Sequence, residues 1–332
     1  MPNTLFRRFV SRFLSIVASG LGCVLIAPPA VAQAYPSKPV RIITPAPPGS
    51  APDFLLRIMS PKFSELWGHP VIVDNIVGAS GHIGTERVAK SAPDGYTLLF
   101  NTIGPIAINM NLFDKLPFDP IKDLMPISLV AKVPNILCVY PGLPVKTLTE
   151  LIDYARKNPE KLRYGSAGSG TTPHLSGELF SAMTGVKLVH VPYKSSAQMT
   201  TDTIGGQVEV IWHNAPVVLP HVKAGTLRGL AITSDRRNDY APELPTHHEA
   251  GVPGYEVTAW FGIMTPTGTP QAVISRVHAD TVKIVNMADV KERFLSQAAA
   301  PVGNTPEEFG AFIRAEIDKW SKVIKKSGAK VD

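Results

Sequence analysis

Val40-Arg41-Ile42-Ile43, followed by Pro45-Ala46-Pro47-Pro48-Gly49-Ser50-Ala51-Pro52-Asp53, is the stretch whose reading decides the fold. The first four residues read as a short buried strand. Four prolines and Gly49 exclude regular structure over 45–52, so that segment is expected to be loop. From Asp53 to Leu66 apolar residues stand at 54, 55, 58, 59, 63 and 66, the spacing of an amphipathic helix. The pattern then repeats, with a strand over Pro70 to Asp74, the turn Gly78-Ala79-Ser80-Gly81, a helix to about Lys90 and a strand over Tyr96 to Phe100. Strands alternating with helices at this pitch argue for parallel βαβ units.

Beyond residue 100 the pattern changes. Ser128 to Tyr140 is a long β-rich stretch interrupted by Pro134, which reads as a crossover between two lobes. A second α/β set opens at Thr147, where Thr147 and Glu150 have the spacing of a capping box for a helix through Lys157. Short strands are expected near Arg163–Ser166, Lys187–Val191, Val208–Trp212 and Leu227–Thr233. Tyr255 to Met264 reads as a return crossover. Two helices are expected after it, the last opening with the cap-and-proline sequence Thr305-Pro306-Glu307-Glu308. No repeat with a period of 20–50 residues is present. Two crossovers divide the chain into a discontinuous lobe 1 (35–132 plus 259–332) and a continuous lobe 2 (133–258). The expected fold class is α/β, two doubly wound sheets joined by two crossover strands, with a ligand cleft between the lobes.

The 332 residues are 44% hydrophobic and 18% charged, which excludes disorder as the main state. Much of the formal charge of +6 sits in the first residues. Arg7, Arg8 and Arg12 precede an apolar run over Phe13 to Ala27, and Ala32-Gln33-Ala34 supplies a small-x-small cleavage pattern. Residues 1–34 therefore read as a secretory signal, cut near Ala34. An uncleaved anchor is the rival, disfavoured by Gly20, Gly22 and the short run. The mature chain keeps 30 basic and 27 acidic side chains, with basic residues clustered only in pairs. That balance excludes a nucleic-acid-binding role. Cys138 is the only cysteine left, so no intrachain disulfide forms.

Two loops are alike in kind. One is 45–53; the other is Gly165-Ser166-Ala167-Gly168-Ser169-Gly170-Thr171-Thr172-Pro173, again after a strand and before a helix. Small residues let the backbone approach a ligand, and a helix N-terminus offers free N–H donors and partial positive charge. Such a site favours an anion, and one loop in each lobe would grip a ligand with two anionic ends. Either loop alone could be a plain strand-to-helix turn. The second loop lacks the lysine of a P-loop, and neither is G-x-G-x-x-G, so nucleotide cofactors are not expected. Nine scattered histidines give no zinc signature; His247-His248-Glu249 reads as a solvated pair, and no metal is expected. No G-x-S-x-G elbow exists, Cys138 reads as a buried inert thiol, and Trp212 and Trp260-Phe261 read as core. At least one of Trp212, His213 and Asn214 is expected to face the cleft. No catalytic residue is expected, and the protein reads as a binding protein without a cofactor.

Several motifs together resemble the Bug family, the periplasmic solute receptors of tripartite tricarboxylate transporters. They are Tyr35-Pro36 with Pro39 to Ile43, the Pro-Pro-Gly loop ending in Asp53, Gly78 to Gly84, and Ala92-Pro93-Asp94-Gly95-Tyr96. Further along come Ser166 to Thr171 with His174, His190-Val191-Pro192-Tyr193-Lys194, and Gly303 to Phe309. The resemblance implies a two-lobed type II periplasmic-binding fold that closes on a small carboxylate, held largely by backbone N–H groups and water. It implies a periplasmic location and a membrane partner of one large and one small integral subunit. A monomer is expected. Carried over by position, it implies first-lobe contacts at Ala46, Pro47, Pro48, Gly49, Ser50, Asp53, Ser80 and Thr102. Second-lobe contacts would be Ser166, Ala167, Gly168, Ser169, Gly170, Thr171, His174 and Asn214. A sensor that signals to a membrane kinase is the alternative role.

The chain departs from the family at Pro52, at Ile76-Val77 after Asn75, and at His213 beside Asn214. These changes are expected to enlarge and de-polarise the pocket, favouring an aromatic or long-chain carboxylate over citrate.

Overall fold

The structure, a computed structural model, describes residues 35–327; the expected signal segment, 1–34, lies outside the described residues. The first strand, β1 (Val40–Thr44), is buried at four of its five positions, and its mixed Val-Ile content suits a strand covered on both faces. Helix α1 (Ala51–Trp67) follows, then β2 (Val71–Asn75), α2 (His82–Ala89) and β3 (Thr97–Thr102). β1 pairs in parallel with both β2 and β3, as alternating strands and helices require. The helix starts two residues before the expected point. Pro52 occupies its second position, where the missing N–H would have had no partner inside the helix.

The long crossover is β4 (Leu124–Val139), sixteen residues with Pro126 and Pro134 inside it. Over its first part it pairs antiparallel with the return crossover, β9 (Thr258–Pro266), up to Pro134 opposite Thr258. From Asn135 onward its partners are β7 (Val210–Asn214) and β8 (Arg228–Ile232). Pro134 has no N–H to give to a ladder, and the change of partner falls at that residue. Between these crossovers lie α3 (Leu148–Lys157), β5 (Arg163–Ser166), α4 (Thr172–Thr184), β6 (Val189–Pro192), α5 (Ser196–Ile204) and α6 (Ala215–Lys223). β5 runs parallel to β6 and β7. Thr147 caps α3 through Glu150 N–H at 3.2 Å. The Glu150 carboxylate accepts from Lys146 N–H rather than closing the box on Thr147.

One hydrogen-bonded path therefore runs β2-β1-β3-β9-β4-β7-β5-β6, with β8 also on β4. β9 is antiparallel to both β3 and β4, so each half is a mixed sheet with a parallel core. Three helices, not two, follow β9: α7 (Gln271–Val285), α8 (Ala288–Leu295) and α9 (Pro306–Ser327). A two-residue strand, β10 (Ala300–Pro301), precedes α9 and pairs with β4. The cap of α9 is complete: Glu308 N–H donates to Thr305 Oγ1 and Thr305 N–H to Glu308 Oε2. Its Phe309, Ile313 and Trp320 join one buried cluster with Leu175 and Phe180 of α4.

Candidate functional site

The turns that open α1 and α4 are built alike, 121 positions apart. Ser50 N–H and Oγ both donate to Pro47 O; Thr171 N–H and Oγ1 both donate to Gly168 O. Gly49 and Gly170 hold the same left-handed backbone, φ 76° and 77°, which glycine adopts at little cost. Gly49 N–H donates to Asp53 Oδ2 at 2.9 Å, and Gly170 N–H donates to His174 Nδ1 at 3.2 Å. Pro52 and Pro173 stand at the second helical position of each. Because Ser50 and Thr171 turn their hydroxyls back into the turn, neither caps its own helix. Ala51 and Asp53, and Thr172 and His174, are thus left with first-turn N–H groups that the helix does not use.

Both turns border one cavity of about 450 Å³, a size usual for a small-molecule site. Of the expected contacts, Ala46, Pro47, Ser50, Ser80, Thr102, Ala167, Gly168, Gly170, Thr171 and Asn214 line it. Pro48, Gly49 and Ser169 belong to the same turns but do not line it. Asp53, Ser166 and His174 also lie off the lining and hold the turns in place. The Asp53 carboxylate accepts from Gly49 N–H, Arg57 Nε and Asn75 Nδ2, each at 2.9 Å. Burial pushes the Asp53 pKa up, but the bonds from Arg57, Gly49 and Asn75 outweigh that and hold it below the usual carboxylate range. Ser166 Oγ meets His190 Nε2 at 2.7 Å and Gly168 N–H at 3.2 Å. His174 packs 4.4 Å from the His190 ring; burial and that neighbour lower its pKa to about 3, so it is a neutral acceptor for Gly170.

A third helix opens at the same wall. Asn214 is the N-cap residue of α6, with Pro216 two residues on, and its side chain makes no cap bond. Its Nδ2 instead donates to Asn135 Oδ1 at 2.7 Å, at the point where β4 changes partners. His213 lines the cavity too, whereas Trp212 is fully buried, with Nε1 donating to His247 Nε2. His247 is fully buried, in contrast to the solvated pair expected at 247–248. Cys138 is buried and its thiol pKa is pushed up by desolvation, the inert thiol expected.

Sequence reasoning missed part of the wall. The turn before α2 contributes Gly78, Ala79 and Gly81, with Ala79 and Ser80 at φ 45° and 53° despite having side chains. β9 contributes Ala259 and Phe261, the latter in the core as expected and bordering the cavity as well. Ile103, Pro105, Tyr193 and Lys194 complete much of the rest. Prolines and small residues dominate, and the polar groups are hydroxyls, amides and backbone, with the His213 ring and the Lys194 ammonium.

Two mixed sheets bridged by antiparallel crossovers, with three helix N-termini on one interlobe cavity, define a two-lobed type II solute-binding receptor. The family model "Tripartite tricarboxylate transporter family receptor" matches residues 55–329, and the chain belongs to that family. Protein BugT of Bordetella pertussis is 36% identical over 97% of this chain and 99% of its own. Among solved structures, R. palustris Rpa4515 with adipate is 37% identical, with TM-score 0.86 over 90% of this chain and all of that one. MatC (Rpa3494) of Rhodopseudomonas palustris with bound malate is 28% identical, with TM-score 0.82 over 87% of this chain and all of that one. The family is one of receptors, not enzymes. Among the described residues no helix is long and apolar enough to cross a membrane.

Proposed function

We propose that this chain is exported by cleavage of residues 1–34 and works in the periplasm as a monomer. In this reading it binds a small carboxylate in the interlobe cavity and delivers it to the integral subunits of a tripartite tricarboxylate-type transporter. The matched turns carry the reading: both border one cavity, each opens a helix whose first-turn N–H groups the helix does not use, and helix N-termini favour anions. The adipate and malate held by Rpa4515 and MatC support it. The change of β4 partners at Asn135 supports a division into lobes of 35–132 plus 259–332 and 133–258. The ligand contacts in this reading are Ala46, Pro47, Ser50, Ser80, Thr102, Ala167, Gly168, Gly170, Thr171 and Asn214.

The walls of proline, Ile103 and Phe261 favour an aromatic or long-chain dicarboxylate over citrate. A thermal-shift screen of carboxylic acids tests both parts, because a ligand selective for the folded state raises the midpoint. Phthalates or six-carbon diacids are expected to give the largest rise. Citrate or malate giving a larger one contradicts the preference, and no rise with any acid contradicts the receptor reading.

A further inference from the structure

Among the described residues lining the cavity, Lys194 alone carries a charged side chain. It sits in the connection between β6 and α5, beside Tyr193 and two residues before Ser196, both also on the lining. The side chain is exposed, and among the described residues it has no ion-pair partner. Cations at the start of β5 and just before β6 are already matched, Arg163 with Glu209 and Lys187 with Glu160. The other titratable groups on the wall add no charge. His213 Nδ1 accepts Asn214 N–H at 2.8 Å, and burial lowers its pKa to about 4, so the ring is neutral. The Tyr193 phenol is pushed up to about 12 by burial and by Asp202, so it stays protonated.

The positive potential facing a ligand therefore comes from helix N-termini, each a fraction of a charge, and from one full charge at Lys194. A monocarboxylate can be met by the turns alone. A diacid brings a second charge into a wall that is mostly apolar and must exchange its hydration for some partner. The lysine stem is flexible and its ammonium has three donors, so it can follow acids of different length. We propose that Lys194 is a specificity-determining residue that pairs with the second carboxylate of a bound diacid, the first being held by the turns before α1 and α4. This rests on the carboxylate-receptor reading and adds to it the residue that selects a diacid with separated ends.

Calorimetric titration of the mature chain and its Lys194→Gln and Lys194→Arg variants tests this, using matched acids: adipate against hexanoate, and phthalate against benzoate. The wild-type protein should prefer the diacid of a pair. Lys194→Gln should weaken diacid binding by about threefold to tenfold, the span of a partly exposed charge pair, and leave the monoacid nearly unchanged. Lys194→Arg should restore most of the preference. Equal losses for both members of a pair, no loss for either, or a wild-type preference for the monoacid overturns the assignment. A wild-type protein that binds none of the four acids overturns this inference, and one that also shows no thermal shift with any carboxylic acid overturns the receptor reading. The two failures are therefore told apart by the wild-type protein alone.

Discussion

Asp53 and His174 show what a single position can and cannot disclose. In sequence both stand beside glycine turns, as ligand contacts would. In the structure one carboxylate and one neutral imidazole do the same internal task, accepting the N–H of Gly49 or Gly170. The repeated role was hidden because the residue types differ, Asp in one turn and His in the other. His174 is joined by His213 and His247 in being buried, with pKa values lowered to about 3, 4 and 4 by desolvation. The unfolded chain binds protons at these rings below about pH 6.5, while the folded chain does not until near pH 4. Their neutral burial is thus compatible with full stability above pH 6.5 and disfavours the fold as pH falls toward 4. We expect the unfolding free energy to fall over that window by about 1 kcal/mol per pH unit for each histidine. Urea titrations at pH 7, 6 and 5 measure it; a free energy flat across that range contradicts the buried neutral assignment.

At the scale of elements, the short strands were legible to within about two residues, because buried runs of Val and Ile between glycine and proline have few alternatives, whereas the crossovers were not: β4 starts four residues before the expected Ser128 and β9 three after the expected Tyr255. The start of α1 was not, since proline was read as excluding structure where it is tolerated in the first turn. β10 is two residues long and leaves no pattern to read. The glycine turns of the site were visible from composition, but Phe261 and Lys194 reach the same wall from distant elements, a contact no local spacing encodes. The turns also differ in how closely they are met. A Cβ on Gly49 would touch nothing, whereas one on Gly170 would lie 2.1 Å from Asn109 Oδ1. Asn109 is fixed in turn by Nδ2 contacts to Ser80 O and His82 Nε2. Gly49→Ala should therefore add only backbone strain of about 1 kcal/mol. Gly170→Ala forces the segment around Asn109 away from the second turn and should lose ligand affinity by about tenfold more than Gly49→Ala, the scale of a clash costing about 1.4 kcal/mol. Equal affinities for the two variants would show that this approach does not matter to binding.

For the molecule as a whole, the crossovers tie the cavity to both sheets. Asn214, at the cavity, bonds Asn135 in β4; Asn135 N–H donates to Thr233 Oγ1, and Thr233 Oγ1 donates to Val257 O just ahead of β9. Helix α9 returns from the C-terminal end to pack on both halves, with Glu316 accepting from Trp260 Nε1 at 3.0 Å and Trp320 Nε1 at 3.1 Å. A ligand touching both matched turns favours whichever arrangement keeps them opposed, since it can shift an equilibrium only by its differential affinity. The most direct measurement is a crystal structure of the mature protein grown with a saturating dicarboxylate. The account predicts a carboxylate at hydrogen-bond distance from first-turn N–H groups of α1 or α4, directly or through one water, inside this cavity. A diacid held elsewhere on the surface, or in the cavity with both carboxylates turned away from the two helix N-termini, contradicts it.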